Sequence, residues 1–142
     1  MRGRAIKKYD MNSFLNEWGA LIARVFLSAL FIVGGAGMAM NFGGTAGFLG
    51  SLTPVPGVVM AALAILFKLG GGLALLVGWK AREAAWALIA FTLATILLAH
   101  MNWSDQNQMT QALKNLAIIG GLLMVVIHGV GSKVLGSKSG AM

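Results

Sequence analysis

Apolar residues run along this chain in four long stretches, broken by short polar or glycine-rich segments. The stretches cover roughly Trp18–Met40, Gly57–Trp79, Ala84–Met101 and Leu113–Gly131. Each matches the ~20 residues that a helix needs to cross the hydrocarbon core of a bilayer. None shows the strict alternation of a half-buried strand, so the expected fold is all-α: an integral membrane four-helix bundle. Residues 1–17 form a basic tail, 18–131 the membrane domain and 132–142 a second tail. In a chain of 142 residues this leaves no room for a separate soluble domain. The first stretch follows a basic segment, as a cleaved leader would. It is too long for an ordinary leader core and Arg24 interrupts its start, so it reads as a retained helix.

The connections differ in character. Lys80–Glu83 reads as a tight turn between helices. Asn41–Pro56 carries glycines and two prolines, yet also Phe42, Phe48, Leu49 and Leu52. A free loop in water rarely keeps four large apolar side chains. A short helix over about Thr45–Leu52, lying in the membrane interface, accounts for them. Asn102–Gln111 is polar and forms a cap, with Thr110 or Asn107 placed to N-cap the last span.

Charge sets the expected orientation. Arg2, Arg4, Lys7 and Lys8 precede the first span, Lys80 and Arg82 follow the second, and Lys133 and Lys138 follow the fourth. The first connection has no basic residue, and the third has none before Lys114. Positive residues thus fall on alternate sides, which predicts that both termini face the cytoplasm. Trp18, Trp79 and Trp86 would mark the inner interface and Trp103 the outer one. The net charge of +7 is distributed along span ends rather than over a soluble face, which excludes nucleic-acid binding as its explanation. With no Cys, the chain has no disulfide, thiol nucleophile or thiolate-held metal, and no other metal motif stands out.

Glycine is abundant, at 20 residues, and clusters inside the spans: Gly34, Gly70, Gly71, Gly72, Gly120 and Gly121. In lipid such residues let helix backbones approach closely. Helix packing is the plain expectation for them. Clearing space for a ligand beside Lys68 is the sharper one.

The candidate functional residues are the polar groups at membrane depth. Lys68 lies near the middle of the second span, where a charge costs ~2.5–3.5 kcal/mol on insertion scales. It needs a partner, a hydrated cavity or loss of its proton. The four acids, Asp10, Glu17, Glu83 and Asp105, all sit at or beyond span ends and cannot supply that partner. Lys68 therefore either orders the bundle through backbone carbonyls or meets an anion, a quinone carbonyl or an acid on another chain. Arg24 stands about two turns into the first span. It either snorkels to the headgroups, pairs with Glu17 or faces the bundle interior. His100 ends the third span, and with Lys114 and Asn115 it is expected to form a small polar mouth. No nucleophile–base pair is visible, so an enzyme acting alone is the least favoured reading.

Several of these features, in their order and spacing, resemble the DoxX family of small four-helix membrane proteins. They are Ala23-Arg24 and Gly34–Gly37 in the first span, Gly70-Gly71-Gly72 and Gly78-Trp79-Lys80-Ala81-Arg82 around the end of the second, then His100, Lys114-Asn115-Leu116 and Gly120-Gly121. The resemblance covers about Leu21 to Gly131. It implies a bacterial inner-membrane protein, a non-catalytic subunit or accessory of a quinone-linked redox complex, with a quinone as candidate ligand and a redox subunit as candidate partner. Besides that and membrane lipid, a homo-oligomer is a further arrangement the sequence admits. A small-molecule or lipid binding or transport bundle and an assembly factor are the alternatives. The chain departs from the family pattern at two places. Met38 stands where the family usually has a Lys, and Lys68 where it usually has a Glu. Roles that rest on that carboxylate, such as proton relay, do not carry over.

Overall fold

The computed structural model describes residues 11–134, and they are all-helical. Helix α1 runs Met11–Met40, with one wider turn at Leu15–Gly19. Short helix α2 spans Phe42–Leu52, α3 Gly57–Val77, α4 Ala81–Ala99 and α5 Gln106–His128. Helices α1, α3, α4 and α5 are each long and apolar enough to cross a membrane. Many of their large apolar side chains point away from the bundle, among them Phe26, Val33, Leu66, Leu97 and Ile127. A lipid solvent explains that arrangement and water does not. The parts of the two tails outside 11–134, with Arg2, Arg4, Lys7, Lys8 and Lys138, lie beyond the described residues.

The four long helices pack in the order α1, α3, α4, α5, with only a thin seam between α5 and α1. The bundle has two unlike halves. In the half that holds the α3–α4 turn, Leu75, Leu88, Leu122 and Phe31 are buried in one cluster with Ala81, Ala85 and Val125. In the other half α2 lies across α3, and there the helices enclose cavities instead.

Glycine fixes four of the close approaches. A Cβ on Gly57 would stand 1.8 Å from the Ala46 carbonyl oxygen, so α2 can cross the start of α3 only backbone to backbone. Gly71 and Gly72 receive Leu88 of α4 and Ile32 of α1. Gly121 receives Leu27 across the α1–α5 seam. The packing expected at Gly70 and Gly120 is not found among the described residues, since nothing there lies within 4 Å of a Cβ at either. Consecutive helical residues point about 100° apart, so one glycine of a pair faces the neighbour while the other faces outward.

Helix ends also differ from the sequence expectation. The last helix starts at Gln106, because Asp105 is its N-cap: the Asp105 carboxylate accepts from the N–H groups of Asn107 (2.9 Å) and Gln108 (3.4 Å). Thr110 and Asn107 lie inside the helix, and Thr110 Oγ1 donates to the Gln106 carbonyl at 2.8 Å. Helix α3 ends two residues earlier than its apolar run suggests, with Gly78 at φ +82° and Lys80 at φ +43° turning the chain into α4. The short apolar helix of the first connection is present and begins earlier, at Phe42.

Candidate functional site

Helix α2 covers one end of the bundle. Beneath it lies a cavity of about 540 Å³ between α2, α3 and α4, a size that suits a small organic ligand. Its walls are mainly apolar: Phe48, Leu49 and Leu52 come from α2, Phe67 from α3 and Phe91 from α4. The two phenyl rings stack, with centroids 6.1 Å apart and planes 13° from parallel. Four polar side chains interrupt this lining, namely Lys68, Thr95, His100 and Gln111. Thr95 Oγ1 already donates to the Phe91 carbonyl at 2.9 Å. His100 Nδ1 is buried and has no hydrogen-bond partner among the described residues.

Lys68 is half-buried at the inner end of this cavity. Its ammonium stands 6.0 Å from the centre of the Phe91 ring, within cation–π range. On the α1 side, Gly34 makes the space it occupies: a Cβ there would be 3.0 Å from Lys68 Nζ. Gly34 thus accommodates the lysine head itself. Met38 lines the same cavity as Lys68. The two positions at which the chain departs from the DoxX pattern therefore face one space.

A second, smaller chamber of about 230 Å³ lies on the other side of Lys68, bounded by α1, α3, α4 and α5. Lys114 and Asn115 line it together with Lys68 and Gly34. The polar mouth expected from His100, Lys114 and Asn115 is therefore divided. His100 opens on the first cavity and the other two on the second, because Lys114 and Asn115 lie two turns inside a helix that begins earlier than expected. Lys68 borders both, as do Phe91 and Thr95 of α4.

Arg24 is separate from this constellation. It neither snorkels nor pairs with Glu17, and its side chain is 1% exposed inside the bundle. Nη1 donates to the carbonyls of Leu75 (3.3 Å) and Leu76 (3.4 Å) at the end of α3, and Nη2 donates to the carbonyl of Lys133. The last carbonyls of a helix have no intrahelical partner and carry partial negative charge, so a buried guanidinium is well matched to them. Leu75 lies seven residues beyond Lys68, about 10 Å along the helix. Arg24 is thus a latch between α1, α3 and the C-terminal segment and lines neither cavity. Glu17 instead meets Lys133 at 3.9 Å, a largely exposed pair that contributes little. No arrangement of spans in the sequence pointed to the latch. Gly78 leaves room for it, since a Cβ there would lie 2.6 Å from Arg24 Nη1.

Comparison with known proteins agrees with this architecture. The DoxX family profile matches residues 19–101, which takes in the membrane part of α1 and all of α2, α3 and α4. The inner membrane protein YqjF of Escherichia coli (strain K12) is 38% identical over 118 residues, covering 83% of this chain and 89% of that protein. The inner membrane protein YphA of the same organism is 30% identical over 118 residues, covering 79% of this chain and 84% of the relative. No solved structure matches the chain. With four candidate spans and a match over more than half its length, the chain is a multi-pass inner-membrane protein that belongs to the DoxX family.

Proposed function

We propose that this DoxX-family protein is a non-catalytic membrane subunit that holds a quinone-class ligand for a redox partner. The observation that carries the reading is the cavity under α2, apolar along its walls and with the Lys68 ammonium at its inner end. A quinone has a flat ring, an apolar tail and carbonyl oxygens that only accept hydrogen bonds. The stacked Phe67 and Phe91 suit the ring. Lys68 supplies up to three donors for a carbonyl, and His100 and Gln111 add further polar atoms at the cavity's polar end. A charge at membrane depth marks a functional position by default, and this one opens on a cavity of ligand size. The partner would carry the redox centre. Both termini are assigned to the cytoplasm on the distribution of Lys and Arg.

The test is native mass spectrometry of the full chain, extracted from its own membrane in mild detergent, with the lipid extract assayed for quinone. A co-purifying redox subunit together with a quinone that is lost in Lys68→Met supports the proposal. A chain that carries neither, or a quinone content unchanged by Lys68→Met, overturns it. A bound amphiphile with no partner chain would instead favour the alternative of a binding or transport bundle.

A further inference from the structure

The smaller chamber has an unbalanced chemistry. Lys68 and Lys114 face one space of about 230 Å³, with the Asn115 carboxamide beside them. Among the described residues no carboxylate lines it. The nearest acid along α5 is its cap, Asp105, nine residues before Lys114 and thus about 13 Å away along the helix axis. The hydroxyls of Thr92 and Thr95, which also line the chamber, donate to the carbonyls of Leu88 (2.7 Å) and Phe91 (2.9 Å). The side-chain donors left facing the space are two ammonium groups and one carboxamide NH₂.

Two ammonium groups that face one small space repel each other. The arrangement is relieved by a negative group set between them. The chamber is smaller than the ~300–1,000 Å³ of a site that encloses a drug-sized molecule. Its size suits a headgroup. Lys114 is exposed, and Gly34 on the α1 wall gives the Lys68 head its room.

We propose that this chamber is an oxyanion site, in which a carboxylate or phosphate is held between Lys68 and Lys114 with Asn115 as the third donor. Charge-assisted hydrogen bonds from two ammoniums make the oxygens of such a group the best-matched occupant. The site is independent of the quinone reading. Lys68 borders both spaces, but Lys114 and Asn115 line only this one. The anion arrives either on an apolar chain, as the head of an acidic lipid or fatty acid, or as a free ion.

The experiment is a thermal-melt titration of the delipidated full chain in neutral detergent with three probes: oleate, oleyl alcohol and inorganic phosphate. The expected result is a rise in Tm with oleate, with phosphate, or with both, and none with oleyl alcohol. Lys114→Met and Asn115→Leu each weaken the apparent affinity, the first by about tenfold or more, and Lys114→Arg restores it. Because Lys114 is exposed, its replacement leaves the packed half of the bundle intact, and the Tm of each variant without probe verifies the fold. A response to oleate alone assigns the anion to a lipid, and a response to phosphate alone assigns it to a free ion. The proposal is overturned if neither anion raises Tm, if oleyl alcohol matches oleate, or if Lys114→Met responds like the unaltered chain.

Discussion

The ammonium of Lys68 lies against the bare backbone of Gly34, 3.0 Å from where a Cβ at that position would stand. One helix leaves out a side chain at the level where the next helix carries a charge. This gives a graded prediction. Gly34→Ala brings a methyl group against the far end of a flexible side chain, so the head shifts by a few tenths of an ångström and ligand retention falls slightly. Gly34→Leu fills the space and expels the head from it. Retention of a cavity ligand is expected to drop by about tenfold, as for loss of a hydrogen bond from a charged donor. Quinone or oleate content after extraction measures it, and equal content in Gly34→Leu and the unaltered chain would sink the idea.

Arg24 makes the opposite kind of prediction, about stability rather than ligand. Arg24→Met removes the donors for carbonyls at the end of α3 and in the C-terminal segment. A loss on the order of 2–4 kcal/mol is expected, seen as a lower Tm in detergent. Arg24→Lys recovers only part of it, since one ammonium cannot span carbonyls from two segments as a planar fork does. Gly78→Ala should fall in the same direction, because the residue has φ +82° and its Cβ would collide with Arg24 Nη1. If Arg24→Met melts like the unaltered chain, the latch is not structural.

The four spans were readable in the sequence because length and hydropathy report the stretch a bilayer covers. The start of α5 was not, because a helix can extend past the apolar stretch: Gln106–Gln111 is polar and still helical once Asp105 caps it. Lys68 stood out in the sequence as a candidate, since a charge at mid-span needs a reason. Its place between two chambers was not, because that depends on which face α5 turns inward. Of the three places the sequence left open for Arg24, the bundle interior is the one found, but its partners could not be read for a related reason. Its partners are backbone carbonyls, which every residue has and no pattern of side chains reveals.

The crossing of α2 over α3 yields a prediction about the covered cavity. Gly57→Ala places a methyl group where the Ala46 carbonyl oxygen now lies, and Gly50 packs against the same point from α2. Backbone cannot yield as a flexible side chain does, so α2 must lift. The expected outcome is faster hydrogen exchange over Phe42–Leu52 and a lower ligand content, with the packed half around Leu75 and Leu88 unchanged. Unaltered exchange in α2 would show that the contact does not hold the cover in place.

Orientation can be decided with little disturbance, because the chain has no Cys and any single introduced thiol reports alone. Trp79 and Lys80 lie at the turn between α3 and α4, and Ser104 at the opposite end, before α5. Lys80 and Arg82 crowd the first of these ends, whereas the third connection is free of basic residues before Lys114. By the positive-inside rule this asymmetry predicts that the α3–α4 turn faces the cytoplasm. A membrane-impermeant maleimide applied to intact cells is expected to label Ser104→Cys and to leave Arg82→Cys unlabelled until the membrane is opened. Removing Arg82 erases one of the charges that sets the orientation, so Glu83→Cys, which keeps both, is the control and should behave the same way. Labelling of Glu83→Cys from outside would invert the assignment. It would also place the α2-covered cavity, with His100 and Gln111 at its polar end, at the cytoplasmic end of the bundle.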